Sequence, residues 1–493
     1  MARRVSPRPD GAGLVGRLAG QTRPVLLVVD YAETHTALTS TLLTTLEERA
    51  TRTPIRLLLV ARGGGDWWEE LTGRHPLAEN GQTVTLPPVE DSGPDRTALF
   101  TDAASTFARR LADLDPAVDW ADRFRKVQTG IPDLSDPGFG LVLAVHMAAL
   151  TALLDQPTSG DGGSPEQVAD RLLQHEKRYW TDTARTRGID RSAGSLEQAI
   201  AAATLCGATN PDEAAAALAR LPALTGTDGT THDLRNRTAH WLAGLYPPAP
   251  DQTGQFWGGI SPDRLAEHFL ARHLTGNPDL TEHLLAGAST GQTYQALTVL
   301  NRATPTHPDL DPLLPALLAT DPATRAPIAL RVAIEAADHR PAADALTTVT
   351  PHLDRPTLTS MIDSLPEYSL RLLDLAATLQ HAHTLRIRDH IPPHPPRRWP
   401  LPRRRHTPVD TTHLADLAAS LNNQSVRLGG LGRREETLTA INDAVTIHRR
   451  LAADRPDAFL PDLIRSLNNL ADLLRAIGRH AEAQTIDDER NAL

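Results

Sequence analysis

The chain is expected to be mixed and mostly α: a partial parallel α/β layer at the N-terminus, helical domains after it, and a helical-repeat array at the C-terminus. Three observations predict this. Two apolar runs of strand length flank one helical stripe near the N-terminus; beyond Glu90 the apolar spacing is helical almost throughout; and a C-terminal segment recurs at an offset of 46 residues. With 493 residues and roughly 150 per domain, about three domains are expected rather than one core.

Composition narrows the class. Hydrophobic residues are 40% and charged residues 22% of the chain, too apolar for wholesale disorder. A single cysteine, Cys206, excludes an intramolecular disulfide framework and a cysteine zinc cage, and fits a reducing cytoplasm. The net charge of -10 argues against a chain-wide nucleic-acid surface. The longest apolar stretch, Gly140 to Leu154, is interrupted by His146 and falls short of the about 20 residues a bilayer span requires. No apolar segment follows the basic MARRVSPRPDGAG start, so a secretory signal is not expected. These features point to a cytoplasmic protein with no membrane partner.

Element by element, residues 24–31 (PVLLVVDY) read as a buried strand, 37–50 as a helix with Leu38, Leu42, Leu43 and Leu46 inward, and 55–62 (IRLLLVAR) as a second buried strand. Strand, helix and strand at this spacing make a βαβ crossover, hence parallel strands. TVTLPPV (83–89) is expected as a further short strand. Boundaries follow from composition: an α/β part over 1–92, a helical domain over 93–190 closing on the buried 140–154 segment, and a helical module over 191–275. Within that module Asn210-Pro211 and Ser261-Pro262 open helices, and the glycine-flanked Phe256-Trp257 turn is compatible with a winged helix. Proline-punctuated short helices follow over 276–390. The Pro/Arg-rich segment 391–409 reads as an extended linker, and repeats occupy 410–493.

The repeats show themselves directly. SLNN at 420–423 recurs at 466–469, and Gly432-Arg433 recurs as Gly478-Arg479. Each unit is a first helix, a glycine turn and a second helix; Leu414, Leu417, Ala418 and Leu421 form one inward stripe, and Leu463, Ile464, Leu467 and Leu474 the next. This pattern resembles tetratricopeptide repeats of the longer, kinesin-light-chain type. The resemblance implies a concave groove lined by the first helices that takes a protein or peptide partner. Asn422, Asn423, Asn468 and Asn469 recur on those helices although asparagine is a mediocre helix former. Two roles stand open for them: amide contacts to a bound peptide backbone, or hydrogen bonds to the neighbouring helix that hold the register.

Near the N-terminus LLVVDYAE (26–33) has the form of a Walker B strand. Its apolar residues bring Asp30 to the strand's C-terminal end, where open parallel sheets bind ligands and a carboxylate can hold Mg²⁺; Glu33, three residues on, is placed to orient a water. LLLVAR delivers Arg62 to the end of the neighbouring strand. The order of LLVVDYAE, LLLVARGGGDWW, GFGLVLAVHMAAL and WGGISPDRLAEHF resembles the second half of the nucleotide-binding domain of STAND-class (NB-ARC-like) P-loop signalling ATPases, actinobacterial ones carrying tetratricopeptide repeats in particular. What the resemblance implies is an ATP/ADP switch with Mg²⁺ on Asp30, water positioned by Glu33, the γ-phosphate read by Arg62, and oligomerisation on activation. The departure is large: the only lysines are Lys126 and Lys177, neither follows glycine, and the GxxxxGK[ST] cradle is therefore missing. A truncated N-terminus is favoured over a degenerate one, and no ATP binding is expected of this polypeptide by itself.

The rival from another class is a non-enzymatic helical interaction scaffold whose α/β part only packs. A DNA-binding regulator is weaker, because residues 194–275 carry no basic recognition helix. Gly63-Gly64-Gly65 lacks a GxGxxG pattern, the pairs His381/His383 and His268/His273 lack metal-ligand spacing, Trp67-Trp68 reads as packing, and Gly130-Ile131-Pro132 as a loop.

Overall fold

A computed structural model describes residues 2–4, 24–30, 32–48, 54–61, 63–64, 66–89, 94–155, 163–248, 254–366, 369, 371–389 and 408–493. The chain divides into two compact units. The first holds Met1–Val29, Ala37–Leu58 and Thr72–Val299; the second holds Asp30–Thr36, Leu59–Leu71 and Leu300–Leu493.

The sheet has three strands in the order β1 (Ala2–Arg4), β2 (Val25–Asp30) and β3 (Ile55–Val60). β1 runs parallel to β2 with Ala2 opposite Leu26, Arg3 opposite Leu27 and Arg4 opposite Val28. The Val25 amide donates to the Pro54 carbonyl at 3.2 Å, which joins the beginnings of β2 and β3, so these strands also run the same way. β2 is central, and Leu27 and Val29 are buried accordingly. β3 departs from expectation. At the sheet edge its residues alternate between half-buried and exposed, with Leu58 at 47% and Val60 at 42% exposure. Apolar runs look alike in central and edge strands; only neighbours decide which is covered. Residues 83–89 form no strand, and Val84 and Leu86 are exposed. The sheet is thus smaller than the layer the sequence suggests.

The first unit is otherwise helical. α1 (Thr36–Glu47) buries Leu42 and Leu43. α2 (Asp66–Arg74), whose residues up to Leu71 fall in the second unit, and the short α3 (Pro76–Glu79) follow. The Glu47 carboxylate accepts from the Leu77 amide (3.1 Å) and contacts His75 (3.2 Å), tying α1 to the start of α3. α4 (Pro94–Leu114), α5 (Trp120–Thr129) and α6 (Val142–Asp155) take up the expected helical domain. Arg96, buried at the start of α4, donates to the carbonyls of Leu134 (2.7 Å), Asp136 (3.1 Å) and Val89. α6 is the expected buried apolar helix, and among the described residues no helix is long and apolar enough to cross a membrane.

Next come α7 (Pro165–Thr186), α8 (Ala193–Cys206), α9 (Pro211–Ala219), α10 (Gly229–Leu245), α11 (Asp263–Thr275), α12 (Pro278–Leu285) and α13 (Thr290–Ala303). α8 packs against α7, α9, α10, α11 and α12; its alanine-rich sequence lets all five approach. α9 opens as its sequence directs: Asn210 caps the Glu213 amide at 2.9 Å while the Glu213 carboxylate accepts from the Thr209 amide. No wing forms in 254–260. That segment lies flat on α8, through Phe256 N–H to the Ala208 carbonyl and a Gly259 whose Cβ would stand 2.9 Å from the Thr204 Cα. Trp257 is buried there.

The second unit contains α14 (Leu313–Thr320), α15 (Pro322–Glu335), α16 (Arg340–Val349), α17 (Arg355–Ser364) and α18 (Leu373–Asp389). Pro322, Pro341 and Pro356 sit in first turns, where no amide is required; they begin helices rather than break them. The linker between Pro392 and Thr407 lies outside the described residues. Four helices then follow in succession: α19 (Pro408–Gly430), α20 (Arg434–Asp454), α21 (Pro456–Ala476) and α22 (His480–Asn491). Connections of one to three residues make neighbours antiparallel, and α19 also touches α21. Leu417, Leu421, Ile441, Val445, Leu463, Leu467 and Leu474 share their core. The turns repeat in detail. Gly432 (φ 69°) and Gly478 (φ 81°) adopt the left-handed conformation, and the Arg433 and Arg479 amides reach back to the Leu428 and Leu474 carbonyls. Arg433 forks Glu436, and Arg479 forks Glu482.

Candidate functional site

At the end of β2 the strand delivers Asp30 half-buried, and the chain turns into a short 3-10 helix, Ala32–Thr34, that encloses Glu33 at 2% exposure. Arg62 lies outside the described residues. Trp67 is buried, its indole N–H donates to the Gly63 carbonyl at 3.1 Å, and its ring packs against Trp68. Among the described residues no three His, Cys, Asp or Glu side chains are arranged to hold a metal ion. The sequence has no glycine–lysine pair to cradle phosphates, and among the described residues only Asp30 and Glu33 of the expected nucleotide-site residues can be placed.

In the repeats the four asparagines separate. Asn422 is 6% exposed, and its Oδ1 accepts from Asn469 Nδ2 at 3.0 Å and from Ser466 Oγ at 3.2 Å, both on α21. Asn468 Oδ1 accepts from Arg490 on α22 at 2.7 Å. Asn423 is exposed. Three of the expected partner-binding residues are therefore engaged in bonds between helices of the array, and Asn423 is the one of the four that is exposed. The register role fits Asn422, Asn468 and Asn469.

The serines that open the two SLNN segments carry the same 46-residue offset, and no local pattern marks them as hydrogen-bond hubs. Ser420 and Ser466, first residues of the two SLNN segments, are both buried. Ser420 Oγ meets Gln380 Nε2 (2.9 Å), Thr384 Oγ1 (2.9 Å) and His383 Nδ1 (3.1 Å). Ser466 Oγ meets His448 Nδ1 at 2.9 Å and donates to Asn422. Burial holds both imidazoles below the ordinary histidine range, with Arg355 adding to the effect at His383. Neutral rings suit them as hydrogen-bond partners of a serine. The result is a polar seam running through an otherwise apolar stack, which specifies alignment because a buried amide or hydroxyl out of register loses its partner. The exposed side of α19 carries Asn423 and Val426.

The chain finds no match among protein-family models, among curated proteins or among solved structures.

Proposed function

We propose that this chain is the partner-binding part of a STAND-like signalling protein, that its tetratricopeptide-like end engages a protein or peptide, and that it neither binds nor hydrolyses ATP by itself. The observation carrying this is the division of labour on α19: Asn422 is committed to register, while Asn423, about 100° further round the helix, and Val426, one turn on from it, are exposed. Repeat stacks characteristically use that uncommitted side of their first helices. A photo-crosslinking side chain at position 423 should capture one defined partner in cells, whereas the same group at Thr446, exposed on α20, should not; equal capture from both sides would reject the groove. For the nucleotide, calorimetry on the purified chain with Mg²⁺ and ATP should show no binding. Micromolar affinity lost on Asp30→Ala would overturn that half of the proposal.

A further inference from the structure

In the first unit a cavity of about 300 Å³ opens between α7, α8 and α11. α7 lines it with Asp170, Leu173, Gln174 and Lys177, a stripe at helical spacing; α8 contributes Glu197; α11 contributes Phe269, Arg272 and His273. Leu173 and Phe269 are buried and give the cavity an apolar side. The Phe269 ring stacks on His273 with centroids 5.5 Å apart and meets Trp180 edge-on.

The charges have a definite layering. Asp170 Oδ1 takes His268 Nε2 at 2.9 Å and Arg272 Nε at 3.2 Å. Glu197 Oε2 takes Lys177 Nζ at 3.1 Å and lies 3.8 Å from His273 Nδ1. Each carboxylate therefore holds one outer cation; Asp170 also holds an enclosed imidazole, and the His273 ring lies near Glu197. The Lys177 and Arg272 side chains are 45% and 65% exposed, against 18% for Glu197 and 33% for Asp170. Whatever enters meets the two mobile cations and the exposed Gln174 amide first. If both cations swing to an incoming anion, Asp170 keeps the His268 imidazole, while Glu197 keeps only the nearby His273 ring. A cationic ligand would instead have to compete with three donors for two acids that are already engaged. Desolvation of a stripped carboxylate is the usual obstacle to breaking a half-buried ion pair, and at Asp170 the second partner lessens it.

We propose that this cavity binds a small organic oxyanion, a phosphate monoester or a carboxylate with a compact apolar body, through Lys177 and Arg272, with the body against Leu173 and Phe269. The proposal rests neither on the repeat groove nor on nucleotide binding.

Because Lys126 and Lys177 are the only lysines, reductive ¹³C-methylation of the intact chain gives two lysine signals and retains both charges. Phenyl phosphate should shift the Lys177 signal saturably and leave that of Lys126, paired with Asp122 on α5, in place. Phenyl phosphate, benzoate and inorganic phosphate titrated in parallel distinguish the headgroup and the contribution of the apolar body; tighter binding of either aromatic anion than of inorganic phosphate supports the proposal. Lys177→Gln should weaken that anion at least tenfold by calorimetry, and benzylamine should not bind. The proposal is overturned if neither aromatic anion moves Lys177, if both lysine signals move together, or if benzylamine binds as well as the anions.

Discussion

Asn422→Ala tests the polar seam directly. The substitution removes an acceptor that serves Ser466 Oγ and Asn469 Nδ2 at 6% exposure. Ser466 keeps His448, and the half-buried Asn469 amide can turn to water, so the loss is the net worth of two hydrogen bonds, about 2 kcal/mol. Hydrogen–deuterium exchange in the intact chain reads this locally: amides of α19 and α21 that open together should exchange about 30-fold faster, at 1.36 kcal/mol per tenfold. Asn423→Ala supplies the contrast. On an exposed helical position alanine is the better helix former by a few tenths of a kcal/mol, so exchange there should be unchanged or slightly slower. Asn469→Ala combined with Asn422→Ala should cost about 1 kcal/mol less than the two singles summed, because both remove the same bond. Unaltered exchange in Asn422→Ala, or full additivity with Asn469→Ala, would refute the seam.

Two further outcomes follow from other parts of the fold. His273, His383 and His448 are all held below the ordinary imidazole value of 6.5, burial being the largest cause in each. The unfolded chain therefore takes up protons first as the pH falls, so stability is complete above about 6.5 and declines below it; urea midpoints at pH 7.5 and 5.5 should show the lower value at 5.5, and His448→Gln should reduce the difference, whereas midpoints rising on acidification would contradict it. Gly259→Ala places a Cβ 2.9 Å from the Thr204 Cα, backbone that cannot yield, and should destabilise the first unit by about 1–3 kcal/mol; Gly254→Ala, strained by its φ of 107° but open in space, separates steric from conformational cost in the same denaturation assay.

What the sequence by itself determined is local. Apolar residues at helical spacing made α6, α19 and α21 where expected, since the period of burial is set by the helix itself. Asn210-Pro211 and the Gly-Arg pairs marked α9 and the repeat turns because capping and left-handed backbone are decided within a few residues. The 46-residue recurrence announced the repeated helix pair before any contact was known. What only the tertiary structure decided is which of several chemically equal positions meets a neighbour. IRLLLVAR and PVLLVVDY are similar runs, yet one is an edge strand and the other central. Asn422 and Asn423 are adjacent and identical, yet about 100° of helical rotation turns one into the interface with α21 and the other to solvent. Ser420 and Ser466, and the charged cavity of Asp170, Lys177, Glu197, Arg272 and His273, join residues on helices distant in sequence, and no local pattern encodes such pairings. Local propensity selects the elements; the free energy of packing them against one another selects which faces are shared.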